Sequence, residues 1–179
     1  VDGVEVTGSD VSLTMTQTKA SGVVDVALTP KTAGTHVVAV RLRGEHVQGS
    51  PATVAVSAGA ADAAASGATL VGGALFGGRV GVKRTATISA RDAHGNLVTS
   101  GLSSAMCDAS LAAAFSVLDA NGNAVAANAS ASCVLRNADE GTFEVSVTAY
   151  DAGAYTLNIT IDGDVAATRS GIAFVPSRS

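Results

Sequence analysis

Two stretches of the chain match each other without a gap, and they decide the fold. Residues 21–44 read SGVVDVALTPKTAGTHVVAVRLRG, and residues 140–163 read EGTFEVSVTAYDAGAYTLNITIDG. The stretches lie 119 positions apart throughout, so that the Ala-Gly pair at 33–34 returns at 152–153. Self-similarity at a fixed offset is typical of repeated structural units. The sequence therefore predicts two copies of one unit.

Each copy predicts two antiparallel strands joined by a short turn. In the second copy Phe143, Val145 and Val147 alternate with polar residues, and the alternation resumes after Gly153. A period of two places one set of side chains against a core and the other in solvent, as in an antiparallel sheet with one wet face. The remaining inward positions are Tyr155, Leu157, Ile159 and Ile161, and in the first copy Val24, Val26, Leu28, His36, Val38, Val40 and Leu42.

The composition favours a folded chain and argues against several functions. Of the 179 residues, 47% are hydrophobic and 15% are charged, which provides enough apolar material for a core. The net charge of −4 offers no basic stripe for nucleic acid. No apolar run approaches the roughly 20 residues of a membrane span. The chain begins at Val1 without a signal-peptide pattern, so we expect a fragment or a processed product.

The residues after the first copy make the chain resemble the filamin repeat, an immunoglobulin-like domain of seven strands. AGTH at 33–36 is followed by a strand, by GEHVQGSP at 44–51, and by a last strand at 53–56, which is similar to the end of a filamin repeat. RDAHGN at 91–96 follows a predicted strand and is similar to the family's second-strand signature. The resemblance implies an all-β fold: an immunoglobulin-like antiparallel β-sandwich in tandem repeats. Tyr155 then fits the tyrosine corner of such sandwiches.

The resemblance also divides the chain. Residues 1–58 are interpreted as the C-terminal part of one filamin-type repeat with strands A and B missing, and residues 60–179 as a complete repeat. Half a sandwich leaves a sheet face uncovered and an edge unpaired, so we expect the missing strands to come from upstream residues or another chain. In the complete repeat the predicted strands are A near 68–75, B at 83–92, C at 114–119, D at 131–136, E at 142–149, F at 154–162 and G at 171–176.

The second repeat departs from the family pattern at two places. TRSG at 168–171 stands where the family has GSP, and the middle segment from 103 to 131 is longer and rich in Ala, Ser and Asn. The extra length predicts a surface loop. These departures bear on a specific filamin-type binding role rather than on the fold.

No residue pattern predicts catalysis, a cofactor or a metal. The chain has no nucleophile motif, HExxH, CxxC or P-loop, so we expect no enzyme. His36 and His46 flank a predicted strand without the spacing of a metal site. The segment 119–123 resembles an oxygen-ligand loop, but the twelfth position of a calcium loop would be Ser130 rather than Glu. Its Asn-Gly pair favours a hairpin turn.

Two features bear on the compartment. Cys107 and Cys133 are either two buried small apolar residues or one disulfide, which would close a loop of about 27 residues and stabilise the domain by about 3 kcal/mol. The disulfide is compatible with the resemblance, in which strands C and D lie near each other. Asn128 and Asn158 fit the N-linked glycosylation pattern, and both are expected to be accessible. Together these features favour an extracellular glycoprotein.

The resemblance implies one site for a protein partner. In filamin-like repeats a ligand peptide adds a strand along strand C, beside strand D, through free backbone groups at the edge. On the predicted strands this edge contains Phe115, Val117, Ser132 and Val134. The alternative is that Phe115 and Val117 face the core.

Two functions of different classes remain open. One is a cell-surface adhesion or recognition ectodomain, as in the filamin-repeat gamete adhesion proteins of plants and algae, which binds proteins and contacts neighbouring repeats of the same protein. The other is an intracellular filamin-like scaffold or a ciliary or cytoskeletal spacer. Paired cysteines and occupied glycan sites favour the first, and free thiols favour the second.

Overall fold

The computed structural model divides the chain into two compact units, Val1–Ala58 (unit 1) and Gly59–Ser179 (unit 2). The structure describes residues 3–7, 11–18, 23–71, 77–113, 117–118 and 124–177. None of the helices within these ranges is long and apolar enough to cross a membrane.

Unit 1 contains two antiparallel sheets. In one sheet β4 pairs with β1, β5 and β6, and in the other β2 pairs with β3. The strands are β1 (Gly3–Thr7), β2 (Val11–Thr18), β3 (Val23–Pro30), β4 (Gly34–Leu42), β5 (Glu45–His46) and β6 (Ala52–Val56).

Unit 2 begins with a short helix, α1 (Ala63–Gly67), and continues in strands. One large sheet has the order β12-β13-β8, the other large sheet has the order β7-β15-β14-β9, and β10 and β11 form a separate two-stranded sheet. The strands are β7 (Gly77–Arg79), β8 (Arg84–Ser89), β9 (Cys107–Ala113), β10 (Val117–Leu118), β11 (Ala124–Val125), β12 (Ala129–Asn137), β13 (Thr142–Ala149), β14 (Gly153–Ile161) and β15 (Asp164–Val175).

The two sheets of unit 2 form an immunoglobulin-like β-sandwich, which confirms the predicted fold class. The inward positions predicted for unit 2 are buried, because each strand turns every second side chain towards the facing sheet. In unit 1, His36 and Val38 are buried, but Leu42, at the end of β4, is exposed, so the prediction is wrong for Leu42. The rings of Tyr155 and Phe174 meet edge to face with centroids 5.6 Å apart. The largest fully buried apolar side chains are Tyr155, Phe143, Ile88, Leu157, Ile159, Ile161, Val145 and Val147.

The predicted position of strand C is wrong. The strand that pairs with β14 is β9, at 107–113, and not a strand at 114–119. Its alternation is hard to see in the sequence, because the buried positions hold Cys107 and Ala109, which are small, and Ala112 is among the exposed ones. The predicted strand A is only partly matched: Val71 makes a single bridge to Thr87, and residues 72–75 lie outside the described residues.

The corner before β14 is stabilised by a buried phenol. The Tyr155 hydroxyl donates to the Asp151 carbonyl oxygen at 2.9 Å, as in a tyrosine corner. Burial, together with the charge of Asp151, raises the pKa of Tyr155, so the phenol keeps its proton. His36 holds the same place in unit 1, where its Nε2 lies 2.8 Å from the Thr32 carbonyl oxygen. Two different side chains thus bind the carbonyl oxygen four residues upstream.

Side-chain hydroxyls cover the outer edge of β8. Ser66 Oγ accepts a hydrogen bond from the Arg91 amide at 2.9 Å, and Thr69 Oγ1 accepts one from the Ser89 amide at 2.7 Å. The backbone of Val71 then pairs with Thr87 in both directions, at 2.9 and 3.0 Å. The segment that contains α1 therefore satisfies successive outward-facing groups of this strand, which protects the edge from pairing with another chain.

The same segment is fastened at its start by Asp92, which is 4% exposed. Its carboxylate accepts hydrogen bonds from the amides of Gly59, His94 and Asn96, and from the side chain of Asn96, at 2.8 to 3.0 Å. Burial alone would raise the pKa of Asp92, but these hydrogen bonds outweigh it and lower the pKa to about 2. Asp92 thus holds the first residue of unit 2 against the end of β8.

We expect Tyr155→Phe to reduce the free energy of unfolding by about 1 kcal/mol, because the Asp151 carbonyl loses its buried donor while the ring packing is kept. Urea unfolding followed by circular dichroism measures this loss. Tyr150→Phe is the matched control, since Tyr150 is 53% exposed and should have no effect. Equal losses in both variants would contradict a stabilising corner.

The charge on Asp92 predicts a specific acid sensitivity. Because its pKa falls from 3.8 to about 2 on folding, its stabilisation is complete above about pH 5, declines as the pH falls below the unfolded pKa, and is lost as the pH falls through 2. A shift of this size corresponds to about 2 kcal/mol. We expect Asp92→Asn to lower the free energy of unfolding at pH 6 by about that amount, and the difference from the wild type to shrink towards pH 2. The exposed Asp139, changed to Asn, should show neither effect; a constant difference across this range would refute the assignment.

Candidate functional site: the edges of β9 and β12

Two long strands of unit 2 are paired with another strand on one side only, as far as the described residues show, and their other sides lie near each other. β9 pairs with β14, and β12 pairs with β13. At the other ends of the two sheets, β8 is covered by the α1 segment, and the outer strand β7 is a three-residue strand that pairs with residues 173–175 of β15. The edges of β9 and β12 are therefore the candidate recognition site.

The hydrogen-bond alternation shows which groups of β9 face outward. The Asp162 amide donates to the Met106 carbonyl at 2.8 Å, so the even-numbered residues of β9 bond to β14. The backbone groups of Ala109, Leu111 and Ala113 consequently point away from the sheet. The Ala109 amide is already satisfied by the Asp108 carboxylate, at 2.8 Å. Among the described residues, no hydrogen-bond partner is found for the outward amides of Leu111 and Ala113, at the end of the strand away from Cys107.

The edge of β12 follows the same pattern. The Tyr150 amide donates to the Asn128 carbonyl at 2.8 Å, so even-numbered residues bond to β13 and odd-numbered residues face outward. Among these, the Leu135 amide donates to Ser104 Oγ at 3.1 Å, from a short 3₁₀ turn at Ser104–Met106. The end of β12 near residue 135 is therefore closed, and the end near Ala129 and Ala131 is open.

A disulfide joins the two edges. Cys107 at the start of β9 and Cys133 in β12 are bonded, with their Cα atoms 5.5 Å apart and both residues buried. No free cysteine remains in the chain, which has two. Since β9 and β12 belong to different sheets, the bond fixes the separation of the sheets at this edge.

The residues predicted for the partner edge are only partly brought together. Val117 pairs with Val125 in a short hairpin rather than lying in strand C, and Phe115 lies outside the described residues. Ser132 and Val134 do lie on β12, but on its solvent face, where Ser132 Oγ is 2.9 Å from Ser146 Oγ and Val134 is 44% exposed. The part of the predicted partner edge that was assigned to strand C therefore lies at 107–113, because that segment is the neighbour of β14.

Two residues of the site were not predicted from the sequence. Asp108 and Ser104 each bind an outward-facing backbone amide, which only the strand register can show. The sequence offers one signal for them: Ser104 lies just before β9 and Asp108 lies near its start. Polar side chains at such positions often bond to free backbone groups.

The other sequence candidates lie apart from these contacts. The described residues contain no group of three or more His, Cys, Asp or Glu that could hold a metal. The predicted turn at 119–123 lies outside the described residues, and the strands β10 and β11 on either side of it are antiparallel. Asn128 is exposed just before β12, whereas Asn158 is half-buried in β14.

We expect Cys107→Ala combined with Cys133→Ala to lower the free energy of unfolding by about 3 kcal/mol, since the disulfide closes a loop between residues 26 positions apart. Thermal unfolding with and without a reductant measures the effect. The reductant should lower the Tm of the wild type and leave that of the double variant unchanged. A reductant-independent Tm in the wild type would contradict the role assigned to this bond.

Comparison with known proteins identifies the fold and no family. No protein-family model matches the chain, and no curated protein matches it. It is similar to the structure of FdeC, an Escherichia coli adhesin, with a TM-score of 0.56 and 24% identity over 99% of this chain and 52% of that one. It is also similar to invasin, a bacterial integrin-binding protein, with a TM-score of 0.54 and 16% identity over 97% of this chain and 32% of that one.

A third similar structure is the filamin domain of Lin-41, with a TM-score of 0.44 and 18% identity over 65% of this chain and 98% of that one. The chain spans about half of the FdeC structure and about a third of the invasin structure. At these identities the first two similarities show a shared fold. The chain is an all-β protein with the immunoglobulin-like fold.

Proposed function

We propose that the chain is a non-enzymatic recognition module of a cell-surface adhesion protein, and that it binds an extended segment of a partner protein along β9. The observation that carries the proposal is the open stretch of this edge. The amides of Leu111 and Ala113 face away from the sheet, whereas the Ala109 amide is bound by Asp108. A strand added here gains backbone hydrogen bonds without unfolding any part of the sandwich.

The edge of β9 is better suited than the edge of β12 to bind an added partner strand. The open part of β9 includes Leu111, a half-buried apolar side chain that a partner residue can cover. The half-buried side chains at the open part of β12 are the methyl groups of Ala129 and Ala131. Main-chain hydrogen bonds give affinity in strand addition, but side-chain contacts give selectivity.

The disulfide supports a location outside the cytosol. Disulfides form and persist in oxidising compartments, whereas the cytosol keeps thiols reduced. The bond between Cys107 and Cys133 also fixes the spacing of the two edges before a partner arrives. A preformed edge lowers the ordering cost of binding. The similarity to an adhesin and to invasin, both above a TM-score of 0.5, agrees with this kind of module.

We also propose that the two units of the chain are filamin-type repeats. Residues 1–58 would be the C-terminal part of one filamin-type unit and residues 60–179 a complete one, in tandem. The strands support this, because β3 and β13 lie 119 positions apart at both ends, as do β4 and β14. The corners before β4 and β14 hold the equivalent residues His36 and Tyr155. An intracellular scaffold would instead keep the cysteines reduced.

Beads coated with the chain test the proposal against cells of the native source. We expect beads bearing the wild-type chain to adhere, and beads bearing Ala113→Pro to lose most of this adhesion. Proline removes an amide that faces away from the sheet, and such a position on an edge strand tolerates proline. Counting bound beads per cell gives the measurement.

Ala131→Pro is the matched control, because it removes an outward-facing amide from β12 instead. It should adhere like the wild type, and circular dichroism should show both variants folded. Loss of adhesion in Ala131→Pro alone would transfer the site to β12. Wild-type beads that adhere no better than uncoated beads would refute the adhesion function.

A further inference from the structure

We propose that Asn128 carries an N-linked glycan and that Asn158, in the other Asn-X-Ser/Thr triplet of the described chain, does not. The proposal shares with the proposed function the requirement for a secretory route. It does not depend on β9 binding a partner.

The fold presents Asn128 on a fixed piece of backbone. Its carbonyl accepts the Tyr150 amide at 2.8 Å, and its own amide donates to Asp151 Oδ2 at 2.8 Å. Its side chain is nevertheless exposed, and so is that of Ser130, the hydroxyl residue of the triplet. A glycan can therefore be accommodated without breaking either of these bonds.

An exposed aromatic ring lies across from Asn128. Ala129 pairs with Ala149, so the next position along the register places Asn128 opposite Tyr150. Side chains at directly opposite positions lie on the same face of a sheet, with Cβ atoms about 5 Å apart. Tyr150 is 53% exposed, although most of a tyrosine is apolar. Its ring offers the C–H face of the first sugar a surface to cover.

Asn158 is placed differently. It lies in the middle of β14, with β15 on one side and β9 on the other, and it is half-buried. Its Oδ1 accepts a hydrogen bond from Thr168 Oγ1 at 2.9 Å. A glycan attached to Nδ2 there would lie across both neighbouring strands. Thr160, the hydroxyl residue of its triplet, is also half-buried.

The reaction is a group transfer to the side-chain amide. Asn128 Nδ2 forms a bond to the anomeric carbon of an oligosaccharide held on a lipid pyrophosphate, the donor class used in the secretory pathway. The bond from that carbon to the pyrophosphate oxygen breaks, the lipid pyrophosphate leaves, and Nδ2 loses one proton to the transferase. No oxidant or reductant is needed.

The test is the intact mass of the 179-residue chain secreted by a eukaryotic host, before and after enzymatic removal of N-glycans. We expect one glycan on the wild type. It should be absent from Asn128→Gln and from Ser130→Ala, which leaves Asn128 itself in place. It should remain on the matched controls Asn158→Gln and Thr160→Ala.

A wild-type chain without a glycan would overturn the proposal, and so would a glycan that persists in Asn128→Gln and disappears in Asn158→Gln. Neither result would decide the adhesion function, which the bead assay tests separately. For the contact with Tyr150, we expect glycan removal to lower the Tm of the wild type by a few degrees and to have a smaller effect in Tyr150→Ala. Equal effects would refute that contact.

Discussion

The hydrogen-bonding requirement of the strand edges determines how unit 2 is built. A sandwich of two open sheets leaves backbone amides and carbonyls unpaired along its outer strands, and such groups must be satisfied or they invite another chain. The edge of β8 is closed by means that a regular strand would not use: the hydroxyls of Ser66 and Thr69 each replace one backbone partner, and Val71 supplies a single backbone pair. The short helix α1 can therefore occupy the place of a strand.

The close approach of α1 to β15 depends on a glycine. A Cβ added at Gly67 would overlap the backbone of Ala166, so any larger residue would push the helix away from this strand. Gly67 thereby lets one segment contact both sheets, since Ser66 beside it bonds to Arg91 at the end of β8. Asp92 then holds the beginning of that segment through the Gly59 amide.

The period-two pattern and the internal match predicted paired strands and the bounds of β13 and β14 to within one residue, and the resemblance to the filamin repeat implied the fold class. They failed at β9, because small residues such as Cys107 and Ala109 carry too little hydrophobic contrast to reveal a buried face. The candidate site was harder to predict from the sequence than the strands were. Which amides of a strand face outward depends on register, and register follows from pairing partners far away in the chain.

The contacts between β9 and β12 limit what the proposed site can hold. Ser104 contacts Leu135 and Cys107 is bonded to Cys133, so β9 and β12 run in opposite directions where they approach each other. Asn128 consequently lies towards the Ala113 end, away from the disulfide. A partner at this edge would be bounded by the disulfide and Asp108 at one end, and by the proposed glycan at the other. Only a few residues of extended chain fit between these limits, which favours a single partner strand over a broad protein surface.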